Sequence, residues 1–261
     1  MEQFPVRAPF MDQLEAAIDD GMSVMLTGPR GVGKTHAVKL AARLRGKMLH
    51  VCQGHSDLTV EELRGTPGLR DGNTFFEPGV VVRAVKDDAY FLFDEVNLCR
   101  PGVSAWMNNV IDDDGLLSIP ETGEVVPVPS GFRAFFCFND GYAGTRELNQ
   151  ALKDRCRVIF CDYWPMESEL RLLRSALPRL AEVDLRRMVS IANGVRKARR
   201  EGAIDFDFSI RTLIQWGKDA DRRTQDLVES FKAVVLPKVG DAQEYDLQHA
   251  ALVEIAQLKL R

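Results

Sequence analysis

A glycine-rich loop followed by a lysine and a threonine is the part of this 261-residue sequence whose spacing most directly predicts chemistry. The pattern is G-x-x-x-x-G-K-[ST], with an apolar run before it and an amphipathic helical pattern after it. Glycines let backbone N–H groups turn toward phosphate oxygens, and the start of the helix adds partial positive charge. The lysine can reach the β- and γ-phosphates, and the hydroxyl can ligate Mg²⁺. The predicted nucleotide-binding residues are Gly28, Pro29, Arg30, Gly31, Val32, Gly33, Lys34 and Thr35, together with His36.

Two adjacent acids form the second candidate group. Asp94 and Glu95 directly follow the apolar run 90–93. At a strand end near a phosphate-binding loop, Asp94 can hold Mg²⁺ together with Thr35, while Glu95 polarises an attacking water. A nucleotide switch gains little from a general base, so the second acid favours nucleotide hydrolysis.

Apolar runs that alternate with helical patterns must position these residues. Over the first 164 residues this alternation predicts a mostly parallel sheet covered by helices. The runs are continuously apolar, as in strands that are buried on both faces. The predicted strands are 23–27, 48–52, 90–93, 132–138 and 158–161, and the predicted helices are 12–20, 34–44, 60–64, 79–86, 103–111 and 147–153.

Two insertions and a change of pattern complete the predicted organisation. The segments 66–76, with an Asp71-Gly72 turn, and 117–128 both predict β-hairpins. After residue 164 the strand patterns cease, and helices are predicted at 167–177, 185–200, 209–220, 227–236 and 247–260. We therefore predict an α/β nucleotide-binding domain over residues 1–164, with a five-stranded parallel sheet, and a small helical lid domain over residues 165–261.

Composition excludes several classes of protein. The chain is 45% hydrophobic and 28% charged, which is typical of a folded globular protein. The first 164 residues carry 17 basic and 23 acidic side chains, and the rest carry 17 and 15, so neither part is basic enough to predict nucleic-acid binding. A basic run at 196–200 is expected to form a solvated helix face. Five cysteines without CxxC spacing, no signal peptide and no membrane span predict a cytoplasmic protein with reduced thiols.

These motifs resemble the AAA+ ATPases, and within them the MoxR-type group that includes the CbbQ/NorQ and gas-vesicle GvpN-like proteins. Asp94-Glu95-Val96-Asn97 is similar to the D-E-[IVF]-N signature of that group. Arg100-Pro101, the helix predicted after it and the 117–128 hairpin together resemble its pre-sensor insertion, and the 66–76 hairpin resembles its helix-2 insertion. Phe136 to Asn139 resembles the fourth core strand with a polar sensor-1 residue, here Asn139, although Asp140 stands where relatives often have proline.

The resemblance also implies two catalytic arginines. The segment 148–155 is similar to the one that carries the arginine finger, so Arg155 is expected to reach the γ-phosphate of a neighbouring subunit. Arg157 and Arg146 remain alternatives for that role. The segment 208–213 resembles the sensor-2 motif, which implies that Arg211 contacts phosphate from the lid. With Glu95 and Asn139, these arginines complete the expected catalytic set.

The resemblance implies an ATP hydrolase that binds ATP and Mg²⁺ and assembles as a homo-oligomeric ring, a hexamer. Its hydrolysis would drive remodelling of a protein client or a metalloenzyme complex, with a von Willebrand A domain protein as partner. Two alternatives stay open: a motor or loader directed to nucleic acid, and a nucleotide-gated scaffold with little turnover. The preference for ATP over GTP rests on the resemblance alone.

Overall fold

The protein divides into two compact units in a computed structural model that describes residues 7–139, 144–222, 226–239, 250–254 and 256. The core unit comprises residues 10–28 and 34–161. The helical unit comprises residues 7–9, 29–33 and the described residues from 162 onward. The sequence places its domain boundary at residue 164, and it does not predict that the loop residues 29–33 group with the helices.

Parallel strands form the main sheet of the core unit. The described strands are β1 (Ser23–Thr27), β2 (Leu49–Gln53), β3 (Gly65–Arg70), β4 (Asn73–Pro78), β5 (Tyr90–Asp94), β6 (Leu116–Ile119), β7 (Glu124–Pro127), β8 (Arg133–Cys137) and β9 (Cys156–Phe160). Five of them pair in the order β2-β5-β8-β1-β9, and each pairing in this sheet is parallel. The predicted five-stranded parallel α/β sheet is therefore confirmed.

Burial differs between the centre and the edges of this sheet. The central strands β1, β5 and β8 are almost entirely buried. The edge strands expose apolar side chains, since Val51 on β2 is 44% exposed and Phe160 on β9 is 64% exposed. The expectation that every strand is buried on both faces is wrong for β2 and β9, because each edge strand pairs on one side only within the described sheet.

Helices cover the sheet of the core unit, and side-chain caps mark the start of two of them. They are α1 (Met11–Asp19), α2 (Lys34–Leu44), α3 (Val60–Arg64), α4 (Val80–Lys86), α5 (Pro101–Trp106) and α6 (Gln150–Asp154). The Asn149 side chain accepts a hydrogen bond of 2.8 Å from the N–H of Ala151, so α6 begins at Gln150 and not at residue 147 as predicted. The predicted helix 103–111 is likewise shorter, because a 3₁₀ turn at Met107–Asn109 follows α5.

Both predicted hairpins are present, and each forms a separate two-stranded sheet. Hairpin 1 pairs β3 with β4 through a turn in which Asp71 and Gly72 have φ of 52° and 79°, as a tight two-residue hairpin loop requires. Hairpin 2 pairs β6 with β7. Ion pairs from Arg64 to Glu121 and from Lys86 to Glu124 connect it to helices α3 and α4.

The helical unit has its own aromatic core. Its longer helices are α7 (Met166–Ala176), α8 (Glu182–Arg200), α9 (Ile210–Arg222) and α10 (Leu227–Val234). The ring of Trp216 lies 6.2 Å from that of Phe208 and 5.1 Å from that of Phe231, which are distances for edge-to-face packing. Most of the predicted helix 247–260 lies outside the described residues. Within that range, residues 250–254 are described and are helical.

A buried ion pair lies at the centre of the helical unit and corrects the interpretation of the basic run. Arg196 is only 2% exposed, and its guanidinium donates hydrogen bonds of 2.9 Å to Glu169 Oε2 and to the Phe208 carbonyl. The same group lies 4.2 Å from the centre of the Tyr163 ring. The expectation of a solvated face is therefore wrong for Arg196, because the side chain turns inward to a buried carboxylate.

Candidate functional site

The carboxyl ends of neighbouring parallel strands bring most of the predicted site residues to one edge of the sheet. Strand β1 leads into the glycine-rich loop, β5 ends at Asp94 and β8 leads to Asn139. The pairing register places Asp94 opposite Gln53 on β2 and opposite Cys137 on β8. Open α/β sheets bind their ligands at the carboxyl ends of their strands, where these residues lie.

The glycine-rich loop has positive φ at each of its three glycines, and at two of them a neighbouring group also leaves no room for a side chain. Gly28 has φ of 135°, and a Cβ there would lie 2.1 Å from the carbonyl oxygen of Cys161. Gly31 has φ of 70°, and a Cβ there would lie 2.5 Å from the Cβ of Ser209. Only glycine lets the chain pass both neighbours in this conformation, which explains the composition of the motif.

Lys34 follows this loop directly in the sequence and is buried, with 7% of its surface exposed. Its Nζ donates hydrogen bonds to the Gly28 carbonyl at 2.7 Å and to Asn139 Oδ1 at 2.8 Å. Both acceptors are neutral oxygens. The bonds hold the ammonium group between the ends of β1 and β8, where the motif predicts phosphate.

The hydroxyl of Thr35 and the carboxylate of Asp94 meet directly. Thr35 Oγ1 donates a hydrogen bond of 2.7 Å to Asp94 Oδ2, across 59 residues of sequence. The two predicted metal ligands are therefore adjacent, and both present oxygen, the ligand atom that Mg²⁺ prefers.

Glu95 lies just beyond β5 in a left-handed conformation, with φ of 53° and ψ of 39°. That conformation is uncommon for residues other than glycine, and such outliers cluster at functional sites. The side chain of Glu95 accepts a hydrogen bond of 2.8 Å from Gln53 Nε2. An amide from the edge strand thus holds the predicted base.

Asn139 is fixed through both its side chain and its backbone. Its side-chain oxygen accepts the bond from Lys34, and its carbonyl accepts a bond of 2.8 Å from Asn97 Nδ2. Asn97 is 3% exposed, and its own carbonyl accepts a bond of 2.9 Å from the N–H of Arg146. Asn97 therefore connects the predicted sensor to the chain segment that leads toward α6.

The tip of the loop and Arg211 both belong to the helical unit. The indole N–H of Trp164 donates a hydrogen bond of 2.9 Å to the Val32 carbonyl, and Ser209 packs against Gly31. The side chain of Ser209 also accepts a hydrogen bond from the N–H of Thr212 in the first turn of α9. Arg211 is exposed in the same first turn.

Arg155 lies at the end of α6, where its guanidinium contacts Asp112. Nε and Nη2 lie 3.3 and 3.2 Å from Asp112 Oδ1, and Nη1 donates to the Ala151 carbonyl at 3.2 Å. The alternatives Arg146 and Arg157 are also exposed, so exposure alone leaves the choice among the three arginines open.

Two titratable groups near the loop are held neutral. Burial, with added repulsion from Asp94, raises the pKa of the Cys137 thiol well above its ordinary value. Burial together with the cations Arg43 and Lys39 lowers the pKa of His36. His36 is therefore neutral near pH 7 and adds no net charge beside Thr35.

The family model for the AAA domain (dynein-related subfamily) matches residues 23–156, just over half of the chain. This match begins at β1, includes both hairpins and ends at the first residue of β9. The chain belongs to the AAA family. As a member of that family it is an ATP hydrolase.

Relatives of this AAA protein span nearly its whole length. An uncharacterized protein of Staphylococcus aureus strain USA300 is 27% identical over 237 residues, which is 88% of this chain and 89% of that protein. A second uncharacterized protein, from strain NCTC 8325, shows the same identity and coverage.

Two solved structures share the fold of this AAA protein. A protein from Cytophaga hutchinsonii named as an inferred ATPase is 19% identical, with a TM-score of 0.54 over 98% of this chain and 91% of that one. A proline-to-glycine mutant of RuvB from Thermotoga maritima is 16% identical, with a TM-score of 0.55 over 86% of this chain and 67% of that one. At these identities the likeness concerns the fold.

Sequence reasoning missed two residues of the candidate site. Gln53 follows the predicted strand 48–52 by one position, so its place at a strand end was a readable signal. Asn97 was noted as part of the D-E-V-N signature but was given no role, because its bond to Asn139 spans 42 residues of sequence.

Among the described residues no helix is long and apolar enough to cross a membrane, and no cluster of metal-binding side chains is present.

Proposed function

We propose that this AAA protein is a MoxR-type ATPase whose ring couples Mg²⁺-dependent ATP hydrolysis to the remodelling of a client protein. The observation that carries the proposal is the meeting of five predicted residues at one sheet edge: Lys34, Thr35, Asp94, Glu95 and Asn139. Each has the chemistry that one part of phosphoryl transfer requires.

The residues fit a nucleotide with its metal. Thr35 Oγ1 and Asp94 Oδ2 are oxygen atoms 2.7 Å apart, and each can turn from the other to a magnesium ion or its water. Two acceptors of Lys34 are neutral oxygens, which it can exchange for phosphate oxygens. The metal, when bound, supplies charge stabilisation to the phosphates.

Glu95 is the proposed general base. Its carboxylate takes a proton from the attacking water, while Asn139 offers its amide to orient that water. The hydrogen bond from Gln53 fixes the carboxylate at the strand end but also engages one of its oxygens. Basal turnover therefore depends on how firmly Gln53 holds Glu95.

The two arginines act on the same phosphates from different places. Arg155 of one subunit is proposed to reach the γ-phosphate bound by its neighbour, and Arg211 to contact phosphate from α9. A guanidinium suits both tasks because it stays charged and spreads several donors over phosphate oxygens. AAA proteins commonly form rings, and a trans-acting Arg155 makes activity depend on assembly, for which we propose a hexamer.

The client and the partner are proposed from the family resemblance together with the hairpins. Hairpin 1 exposes Leu69 at 76% and Phe75 at 38%, so it presents apolar surface to other molecules. A von Willebrand A domain protein is the proposed partner, and the site of action is proposed to be the cytoplasm.

The decisive experiment is Glu95→Gln. ATP hydrolysis should fall by about 10²- to 10⁴-fold, the usual contribution of a general base, while ATP binding and ring formation persist. Turnover is measured by phosphate release, binding by a fluorescent ATP analogue, and assembly by light scattering. Glu61→Gln, the same change at an exposed position of α3, should leave all three unchanged. Unchanged hydrolysis in Glu95→Gln would remove Glu95 from the mechanism.

The same measurements separate the alternatives. A nucleotide-gated scaffold would show negligible turnover before any substitution. A nucleic-acid-directed motor would show DNA-stimulated hydrolysis that weakens steeply with salt. The basic run at 196–200 is the feature that favours a nucleic-acid-directed motor, and the burial of Arg196 removes one of its cations.

A further inference from the structure

The turn 112–115, immediately before hairpin 2, holds an acid against Arg155. Asp112 begins this turn, since its carbonyl accepts a hydrogen bond of 3.1 Å from the N–H of Gly115. Its carboxylate oxygen Oδ1 accepts another of 3.1 Å from the N–H of Asp113. The carboxylate is therefore fixed by the backbone of its own turn before it meets the arginine.

The contact occupies one side of the Arg155 guanidinium. Nε and Nη2 both approach Asp112 Oδ1, and Nη1 gives one proton to the Ala151 carbonyl. A guanidinium has five N–H donors in a planar fork. The bonds within the described chain use three of them, which leaves one proton on each terminal nitrogen for an outside acceptor.

We propose that Asp112 is a positioning residue that holds Arg155 in the orientation required to meet the phosphate of a neighbouring subunit. The inference rests on the proposed trans action of Arg155 and adds the residue that prepares it. The carboxylate limits the rotation of a long side chain that is 34% exposed. The conformational entropy of the Arg155 side chain is then already reduced before the neighbouring subunit binds.

The charge of Asp112 suits this role. A carboxylate keeps the guanidinium in place by two charge-assisted contacts at 3.2 and 3.3 Å without covering its remaining donors. Both side chains are partly exposed, so the pair is weak enough to adjust when phosphate binds.

The test uses mixed rings in which only one kind of subunit interface can hydrolyse ATP. Arg155→Ala subunits keep an intact nucleotide site, and Lys34→Ala subunits keep an intact arginine. Their mixture should recover activity only where a Lys34→Ala subunit offers Arg155 to an Arg155→Ala neighbour. Asp112→Asn is then placed on one subunit type at a time.

We expect the recovered rate at saturating ATP to fall about two- to fivefold when Asp112→Asn is on the Lys34→Ala subunit, as the loss of an exposed ion pair implies. The KM for ATP should not change, and the same substitution on the Arg155→Ala subunit should have no effect. Asp112→Glu on the Lys34→Ala subunit should restore part of the rate. Asp113→Asn there is the matched control, since it removes the same charge from the same turn.

The outcomes separate the two levels of the proposal. Equal loss in both placements, no loss in either, or an equal loss from Asp113→Asn would overturn the role of Asp112 alone. No recovery in the parent mixture, with mixed rings present by cross-linking, would overturn the trans action of Arg155 and the role of Asp112 with it. Hydrolysis by Glu95 is tested separately by Glu95→Gln in uniform rings.

Discussion

Two buried cations of this protein, Lys34 in the core unit and Arg196 in the helical unit, are held in different ways. Lys34 is 7% exposed, and its ammonium group donates to a backbone carbonyl and a side-chain amide oxygen. Arg196 is 2% exposed, and its guanidinium faces the carboxylate of Glu169 with an ion-pair distance of 2.8 Å. One cation has neutral oxygens among its acceptors, and the other has a buried anion.

These different partners indicate which cation can exchange its hydrogen bonds. A hydrogen bond between a charged group and a neutral oxygen has a net worth of about 1.5–3 kcal/mol, and phosphate oxygens offer Lys34 charge-assisted bonds of at least that strength in exchange. Separation of Arg196 from Glu169 would leave two charges in a nonpolar interior, at a cost of several kcal/mol. The first arrangement suits a binding site, and the second suits a structural support.

The largest expected effect is the loss of stability in Arg196→Met. The substitution leaves Glu169 buried without its cation and should lower the free energy of unfolding of the helical unit by about 3–5 kcal/mol. Denaturant unfolding followed by tryptophan fluorescence measures it. Lys197→Met, at an exposed position of the same helix, is the matched control. Combined with Glu169→Leu, Arg196→Met should recover most of the loss; a single-variant loss below about 1 kcal/mol would contradict the structural role.

The pH dependence of that loss follows from Glu169. Burial raises the pKa of Glu169 above its ordinary value of 4.5, although the hydrogen bond and charge of Arg196 act against the rise. A raised pKa in the folded state means that the carboxyl favours folding when protonated, and that this contribution is lost as pH rises through the folded pKa. The loss in Arg196→Met should therefore shrink as pH falls toward 4.5, because a protonated Glu169 needs no cation.

The second effect concerns Lys34→Ala. It should reduce ATP hydrolysis by about 10²- to 10³-fold, as the removal of one preorganised donor does in other enzymes. Stability should change far less than in Arg196→Met, and this contrast is the sharpest test of the comparison. Lys39→Ala, on the exposed side of α2, should preserve hydrolysis. A Lys34→Ala protein that is inactive because it is unfolded would show that Lys34, like Arg196, is a structural support.

A smaller effect is expected from Gln53→Ala. The amide of Gln53 donates to Glu95 at 2.8 Å and so engages one of the carboxylate oxygens that could accept a proton from water. Its removal should raise basal hydrolysis about two- to fivefold, in line with one hydrogen bond, and leave stability unchanged. The increase should vanish in a Glu95→Gln background. A fall in hydrolysis would show that Gln53 aids Glu95 instead of restraining it.

The smallest expected effect concerns the thiols of the core unit, whose reactivity should not change when the helical unit unfolds. The five cysteines all lie in the core unit, and burial raises the pKa of Cys52 to about 11 and those of Cys156 and Cys161 to about 12. Few thiolates therefore exist at pH 8, and a disulfide reagent should react slowly with the folded protein. At denaturant concentrations that unfold the helical unit of Arg196→Met, thiol reactivity should stay low. A rise with the same midpoint would show that the two units unfold together.

Local chemistry explains what could be predicted from residues alone. Two short, contiguous motifs carry the predicted chemistry: the loop at residues 28–35 and the acids at 94 and 95. Each motif directly follows a strand, so the strand pattern places it at the end of the sheet where ligands bind. The strands, the hairpins and most helices were also predictable, because hydrophobic period and turn residues act over a few positions. Errors fell at helix starts, as at Gln150, where one capping bond decides the boundary.

Long-range partners could not be predicted in this way. The bonds from Gln53 to Glu95, from Asn97 to Asn139 and from Asp112 to Arg155 each join residues about 40 positions apart. The inward turn of Arg196 likewise depends on Glu169, 27 residues earlier. Each partner depends on strand order and helix packing, which no local pattern encodes.

The amino-acid sequence alone shows which groups this protein can offer on its parallel α/β scaffold: a glycine-rich loop with a lysine and a threonine, and two adjacent acids. From these groups we predict phosphate binding, metal binding and base catalysis. The tertiary structure decided which of these groups are held by exchangeable bonds and which cation is fixed in place. The physical reason is that side-chain type is a local property, whereas burial and hydrogen-bond partners depend on parts of the chain that only folding brings together.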